Sequence, residues 1–222
     1  MINWIYLTYF VVFILLVILV PPLIKRVYYQ RLMQDIERRD FTKFNKHLDS
    51  MLAKLSFSAF EREAIRLNML EATEQKDRVD KQIQFMEHMR LRRKQRAQLG
   101  EQGFYVYLAQ GKIKKAQHMM DLVKEYGTPQ QLEPLEIQYS ILFKKEAKYI
   151  DKCKERLKSF TDSEGNAIKG METSAGIFQY LIALQYSYDH DLQNTRKWAK
   201  LAKQNTKGTP YEEDVRKLLH AN

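Results

Sequence analysis

The first 24 residues contain no charged side chain and are apolar almost without interruption. An α-helix rises about 1.5 Å per residue, so roughly 20 apolar residues match the hydrocarbon core of a bilayer. The run from Ile2 to Val20 has about this length, and the eleven consecutive apolar residues 9–19 leave it no polar face. The sequence therefore predicts a transmembrane anchor over residues 1–24, with a buried core helix as the alternative.

The residues that flank this run predict its processing and its orientation. No Lys or Arg precedes it and no Ala-x-Ala pattern follows, so it lacks the signals of a cleaved secretion peptide. Pro21 and Pro22 predict its end, and five cations follow within about 15 residues, the distance over which positive charge sets orientation. We therefore expect a single-pass membrane protein with its N-terminus outside and residues 25–222 in the cytoplasm. The lone Cys153 agrees with a reducing compartment.

The positive charge of the chain lies entirely behind the apolar run. The formal net charge is +10, and residues 1–24 contribute none of it. For a domain tethered at a bilayer the nearest polyanion is the acidic lipid surface, so lipid ranks above nucleic acid as a partner. The basic string at 92–96 is expected at an exposed turn, where it fits a solvated face, a contact with acidic lipid or protein, or a nucleic-acid contact. The predicted lipid contacts are Lys25, Arg26, Arg31, Arg92, Arg93, Lys94 and Arg96.

The distribution of glycine and proline predicts the fold class. Neither residue occurs from Leu23 to Leu99, and this stretch is rich in Leu, Met, Glu, Lys, Arg and Gln, which favour helices. No later segment alternates between apolar and polar residues as a half-buried strand does. The sequence therefore predicts an all-α protein.

One segment has the pattern of a helical hairpin. Residues 98–128 hold two apolar-periodic helices joined by a turn at Gly111, and a Gly-Thr-Pro stop signal follows the second helix. Gly111, Ile113, Ala116 and Met120 occupy in order four positions of the tetratricopeptide-repeat pattern, which this segment resembles. The resemblance implies an α-superhelix of stacked hairpins over residues 25–222, and a non-repeat helical bundle is the alternative.

Weaker copies of the same turn occur on both sides of this hairpin. The turn at 39–44 precedes one helix with Leu48, Met51 and Leu52, and the turn at 146–149 leads into Ile150, Cys153 and Leu157. With Phe41, Arg78, Ile113, Lys148 and Leu192 taken as equivalent, the spacings are 37, 35, 35 and 44. The longer interval contains a polar insertion at 159–170. Spacings near 35 residues are typical of stacked helical repeats.

The resemblance also implies where partners bind. In tetratricopeptide repeats the groove contacts come from the first helix of each repeat. Carried onto this sequence, the candidate partner-binding residues are Glu63, Arg66, Gln98, Glu101, Tyr105, Glu133, Glu136, Ser140 and Tyr180.

The sequence contains no motif typical of catalysis. It has no HExxH, no zinc-spaced Cys or His pair, no GxSxG and no Gly-rich phosphate loop. Asp189-His190-Asp191 could bind a cation or form an ordinary turn, and Cys153 could be a reactive or a core thiol. We favour the turn and the core thiol, and expect no enzyme activity, cofactor, metal or small-molecule substrate.

These features predict a membrane-anchored scaffold or adaptor whose groove binds proteins at the cytoplasmic membrane face. The alternative is a non-catalytic accessory subunit of a membrane enzyme or of a secretion or assembly complex, docked through its transmembrane helix. The two differ in whether the groove or the apolar helix is the main interface.

Overall fold

A computed structural model describes residues 4–209 and 211–220 of the chain. These residues form helices and turns, with one isolated bridge between Thr161 and Ala167. The prediction of an all-α protein is confirmed. The helices are α1 (Trp4–Glu37), α2 (Phe41–Leu48), α3 (Met51–Ser56), α4 (Ala59–Ala72), α5 (Lys76–Glu87), α6 (Arg93–Ala109), α7 (Ile113–Tyr126), α8 (Pro129–Leu142), α9 (Ile150–Leu157), α10 (Glu172–Tyr188), α11 (Leu192–Asn205) and α12 (Glu212–His220).

The chain folds as two compact units, Met1–Leu99 and Gly100–Asn222. In the first unit, α1 packs against α2 and α3, and α4 packs against α5. In the second, α10 packs against α8, α9, α11 and α12, and α7 packs against α8. Each unit is described by itself below.

Helix α1 does not end at the two prolines. It runs from Trp4 to Glu37 with Pro21 and Pro22 inside it, so the predicted end of the apolar helix at these prolines is wrong. A proline removes one backbone hydrogen bond, which is a local cost. The helix continues because no Gly or Pro follows it before residue 99 and because Tyr28 and Leu32 are buried within the first unit.

Two short helices follow α1 where the sequence suggested one. Helix α2 ends at Leu48, and the Ser50 hydroxyl then caps α3 by accepting a hydrogen bond from the amide of Ala53 at 3.2 Å. This break turns Met51 and Leu52 outward, although we expected them to continue the apolar face of Leu48. Ser58 starts α4 with a capping box that includes Glu61.

The hairpin turns share one backbone feature. A residue with positive φ stands between the two helices of each hairpin, which is uncommon outside glycine. These residues are Arg39, Glu74, Gly111, Lys145 and His190, at spacings of 35, 37, 34 and 45. In all but the Lys145 turn, the next residue donates its amide to the carbonyl five residues back, at 2.9–3.1 Å.

The structure moves two of the predicted turn equivalences by two residues. The second helix of the hairpin begins at Lys76 rather than near Arg78, and at Ile150 rather than near Lys148. At the first site α5 starts two residues after the positive-φ residue Glu74, as in the turns at Arg39, Gly111 and His190. At the second site α9 starts five residues after Lys145, so this turn is longer. The predicted insertion at 159–170 is a loop closed by the bridge between Thr161 and Ala167.

Small residues set the closest helix approaches in the second unit. A Cβ placed on Gly100 would lie 2.7 Å from the carbonyl oxygen of Met119, so α6 and α7 meet where there is no side chain. On Gly176 a Cβ would lie 2.8 Å from the backbone carbon of Asn205, which brings α10 against α11 in the same way. Side-chain volume at either glycine would push two helices apart.

We predict that Gly176→Leu lowers the free energy of unfolding by about 2 kcal/mol or more, because the new side chain would overlap the backbone of α11. Thr173→Leu adds the same side chain at an exposed position of α10 and is expected to change stability by less than about 0.5 kcal/mol. Urea unfolding followed by circular dichroism measures both. Equal midpoints for the two variants would contradict the close approach.

Candidate functional site

Many large apolar side chains in the first two thirds of α1 are exposed. Tyr9 is 71% exposed and Phe13 is 63% exposed. We call residues 9–24 the apolar segment of α1. Its exposed large side chains are Tyr9, Phe10, Phe13, Ile14, Ile18, Leu19, Val20, Leu23 and Ile24. Exposed large apolar side chains in this number mark a site that is covered by something other than water.

Within the residues that the structure describes, no helix is both long enough and apolar enough to cross a membrane. The predicted anchor at 1–24 includes residues 1–3, which lie outside the described residues. The side chains at 4–8, 11, 12 and 15–17 lie outside them too.

At the end of the apolar segment, a charge pair and a cation–π contact join α1 to the rest of the first unit. Lys25 Nζ lies 2.5 Å from Glu61 Oε1 and 5.4 Å from the centre of the Phe57 ring. Burial alone would raise the pKa of Glu61, but hydrogen bonds from Lys25 and Ser58 bring it below its usual value. Lys25, predicted as a lipid contact, is therefore bound within the protein.

One turn further along α1, a polar cluster is buried against α2. Tyr28 donates its hydroxyl hydrogen bond to the carbonyl of His47 at 2.9 Å, and its oxygen lies 2.5 Å from Ser50 Oγ. Asp35 is 7% exposed, and its Oδ2 lies 2.6 Å from His47 Nδ1. Removing the partner of a buried polar group costs free energy, so the contact between Asp35 and His47 stabilises the packing of α2 on α1.

The other predicted lipid contacts lie in two places, on α1 and at the start of α6. Arg26 and Arg31 are exposed on α1, directly after the apolar segment. Arg92, Arg93 and Lys94 are exposed and Arg96 is half-buried. We expected this basic string to form a turn, but α6 begins at Arg93, so three of its four cations lie in the first helical turn. Cations at a helix N-terminus oppose the helix dipole, so they do not serve helix stability.

A cleft of about 250 Å³ opens between α2, α4 and α5 in the first unit. We call it the α2–α4–α5 cleft. Three of its lining residues are cations, three are amides and three are apolar, and none is a carboxylate. They are Arg66, Arg78, Lys81, Asn45, Gln75, Gln82, Phe41, Met69 and Leu70.

Arg66 organises the wall of this cleft. Its guanidinium donates to Asn45 Oδ1 at 2.8 Å, to Asp49 Oδ1 at 2.9 Å and to Glu63 Oε2 at 3.2 Å. Gln82 donates to the same oxygen of Glu63 at 2.8 Å. The structure therefore brings the predicted residues Glu63 and Arg66 together. All three guanidinium nitrogens of Arg66 donate a hydrogen bond, which makes it a structural part of the cleft.

Two cations at the edge of the cleft are more exposed than Arg66. Arg78 is exposed and donates to Gln75 Oε1 at 2.8 Å, and Lys81 is exposed on the next turn of α5. Sequence reasoning missed both, because the predicted equivalence placed Arg78 in a turn. The signal that could have found them is their spacing of three residues, which puts them on one face of a helix.

The predicted contact residues of the second unit do not gather at one cleft. Glu101 lies 3.4 Å from a Gln131 amide and Tyr105 lies 3.4 Å from a Gln138 amide, so both face α8. Burial, followed by the charge of Glu101, raises the pKa of Tyr105. Gln98 and Glu136 are exposed, the first of them in the other unit.

Glu133 belongs to a surface charge cluster on α8 and α9. Its two carboxylate oxygens accept from Lys152 at 2.7 Å and from Arg156 at 3.0 Å. These hydrogen bonds, that of Lys152 first, lower the pKa of Glu133. Glu133 is therefore ionised and already occupied by two cations of the same unit.

Two predicted contact residues are buried, which corrects their assignment to an exposed groove. Ser140 is 4% exposed and donates its hydroxyl hydrogen bond to Glu146. Tyr180 is 5% exposed and its ring centre lies 5.6 Å from that of Tyr211. Both positions sit on the faces of α8 and α10 that pack inside the second unit, so neither side chain is open to a partner.

The turn at Asp189-His190-Asp191 and the thiol of Cys153 both have structural roles. His190 is the positive-φ residue of its turn, and Asp191 caps α11 by accepting from the amide of Asn194 at 3.0 Å. No three His, Cys, Asp or Glu side chains of residues 4–209 and 211–220 gather where one metal ion could bind. Cys153 is buried, as predicted for a core thiol, and Gln185 donates to its sulfur at 3.6 Å.

Comparison with known proteins finds no matching family model, no matching curated protein and no matching solved structure.

We predict that Cys153 is unreactive in the folded protein. Burial raises the pKa of its thiol from 9.0 to about 11, and the thiolate is the reactive form. At pH 8 a disulfide reagent such as DTNB is expected to modify the native chain at least about a hundredfold more slowly than the urea-unfolded chain. Rapid stoichiometric labelling of the native chain would contradict this burial.

The same shift predicts a pH dependence of stability. Because the folded pKa lies above the unfolded one, the protonated thiol favours the folded state. That contribution is fully present below about pH 9 and is lost as the pH rises through about 11. Cys153→Ala, compared with the unmodified chain in alkaline urea titrations, should flatten this part of the profile.

Proposed function

We propose that this chain is a scaffold held at a membrane by the apolar segment of α1, and that it binds acidic segments of partner proteins in the α2–α4–α5 cleft. The observation that carries the proposal is the continuity of α1. One helix carries the charge-free sequence up to residue 24, exposes the large apolar side chains named above, and then contributes Tyr28 and Leu32 to the core of the first unit. A body attached in this way stays close to whatever covers the apolar segment.

The membrane part of the proposal is supported by the composition of α1. Residues 1–24 carry no charge, and exposed Arg26 and Arg31 follow immediately. Apolar helices are retained in bilayers, and cations beside them prefer the cytoplasmic side with its acidic lipids. We therefore propose that the N-terminus lies outside and that residues 25–222 lie in the cytoplasm, with exposed Arg92, Arg93 and Lys94 adding to the attraction for acidic surfaces.

The partner part of the proposal is supported by the chemistry of the cleft. Arg78 and Lys81 are exposed cations at the edge of the cleft and attract an acidic segment, while Arg66 is already paired with Asp49 and Glu63. Phe41, Met69 and Leu70 line the same cleft and provide apolar contacts. A tether adds to this affinity, because it confines the cleft to the membrane plane and raises its effective concentration toward partners there.

The resemblance to tetratricopeptide repeats remains part of the proposal. Its support is the recurrence of a positive-φ turn at spacings of 34–37 residues, with one longer interval of 45. We propose that the hairpins form a repeat array of this type. In such an array the first unit would supply the groove, since Glu63 and Arg66 are the predicted contacts that the structure brings together.

A second function is favoured by the same exposed helix. An apolar segment with no polar face can also pair with a helix of a membrane partner, which would make the chain an accessory subunit of a larger complex. In that case the sequence of the apolar segment itself matters. For a scaffold, only its apolar length matters.

We predict that Arg78→Glu together with Lys81→Glu weakens recovery of acidic partners by about tenfold, because charges of one sign at a binding edge govern encounter with the oppositely charged segment. Both side chains are exposed, so the folded state is retained. Arg66 is left unchanged, since its three hydrogen bonds make it part of the fold. The measurement is quantitative affinity purification of the full chain in mild detergent.

Two further chains make this experiment decisive. Lys46→Glu with Arg90→Glu removes the same charge from other exposed positions of the first unit and should leave recovery unchanged. Replacement of residues 1–24 by an unrelated apolar helix should also leave it unchanged for a scaffold. Loss of partners on that replacement, with the cleft variant still binding, would establish the accessory subunit instead.

A further inference from the structure

We propose that α3 is a second membrane contact, which lies against an acidic bilayer surface beside the apolar segment of α1. This inference rests on the proposed attachment of α1 to a membrane. Its own evidence is the placement of α3, the apolar side chains that it exposes and the charges that surround them.

Helix α3 exposes apolar side chains on one side. Met51 and Leu55 are each 77% exposed, the highest values among the large apolar side chains that the structure describes, and Leu52 is 58% exposed. The spacing i, i+1, i+4 puts the three on one face of the helix. Ala53 and Phe57 are buried on the opposite side, so α3 is anchored by one face and presents the other outward.

Both ends of α3 are fixed to the part of α1 where the apolar segment ends. At its start, Ser50 Oγ lies 2.5 Å from the Tyr28 hydroxyl. At its end, the Phe57 ring lies 5.4 Å from Lys25 Nζ and 6.4 Å from the Tyr28 ring. Helix α3 therefore lies at the level of Lys25 and Tyr28, within one helical turn of exposed Ile24.

This level is where a bilayer interface would lie if the apolar segment were inserted. The exposed apolar side chains of α1 include Leu23 and Ile24, and exposed Val27 lies at the level of α3. The outward face of α3 is thus next to the proposed interface rather than at a remote part of the unit. Apolar side chains at this depth bury themselves at the boundary of head groups and acyl chains.

The charges near α3 favour an acidic lipid surface over an apolar protein partner. Lys54 is exposed between Leu52 and Leu55, and Arg26 and Arg31 are exposed on α1. The carboxylates that flank α3 in the sequence are paired within the unit, Asp49 with Arg66 and Glu61 with Lys25. Exposed cations interleaved with exposed apolar groups are the composition of helices that lie in acidic membrane interfaces.

The test places a fluorescent bimane label at one position at a time in the full chain. Leu55→Cys reports on α3, Phe13→Cys reports on the apolar segment, and Phe85→Cys is the matched control, an exposed apolar position on α5. Native Cys153 is buried and is left in place, with the unmodified chain as the labelling blank. The chains are reconstituted with vesicles of phosphatidylcholine and phosphatidylglycerol whose acyl chains are brominated near the head groups.

Brominated lipid is expected to lower the fluorescence at residues 13 and 55 by about twofold or more and to leave residue 85 unchanged, since only the first two would reach the acyl boundary. Quenching at residue 13 alone would overturn the contact of α3 and leave the proposed anchor intact. Absence of quenching at both positions would overturn the anchor and the contact together. Energy transfer between labels at residue 55 of two copies, without lipid quenching, would assign this face to self-association and overturn the lipid contact.

Discussion

The rest of the first unit depends on the junction at which α1 leaves its apolar segment and enters a packed core. Within three turns, Lys25 pairs with Glu61, Tyr28 bonds to α2 and α3, and buried Leu32 and Asp35 complete the contact. The charge pair is 42% exposed on both sides, so it contributes only about 0.2–1 kcal/mol. Burial of Leu32 contributes about 1.5–3 kcal/mol, so apolar packing fixes the helix and the polar contacts set its rotation.

This junction leaves no flexible linker between the apolar segment and the first unit. Pro21 and Pro22 remove two backbone donors, yet the helix continues for 15 more residues to Glu37. A membrane or partner that holds the apolar segment would therefore also restrict the orientation of α2 and α3. The proposed contact of α3 and the proposed role of the cleft both follow from that restriction, because each needs the first unit to keep one side toward the covered surface.

The sequence predicted the parts of the structure that depend on local preference. The absence of Gly and Pro predicted helices throughout residues 23–99, and the turn at Gly111 was located correctly. The buried state of Cys153 followed from its spacing with Ile150 and Leu157. The positive-φ residues Arg39 and Glu74 had no such signal, because a charged residue in this conformation is held there by the hydrogen bonds of the turn.

The errors arose where tertiary contacts overrule local preference. The prolines predicted a helix end. The helix continues past them because Tyr28 and Leu32, which follow them, are packed in the core of the first unit. Met51 and Leu52 fitted the apolar period of α2, but the cap at Ser50 starts a new helix that turns them outward. Tyr180 was assigned to an exposed groove, yet it packs beside Tyr211. The cleft could not be predicted, since its lining joins three helices whose register depends on all of these contacts.

The most direct test of the central claim is the distance between spin labels at Phe13→Cys and Arg31→Cys, measured by double electron–electron resonance on the full chain in vesicles. Both positions are exposed on α1, one before and one after the proline pair. A helix that continues through Pro21 and Pro22 predicts one narrow distribution near about 27 Å, the rise of about 18 residues. A broad distribution, or a distinctly shorter mean distance, would contradict the rigid attachment on which the proposed function depends.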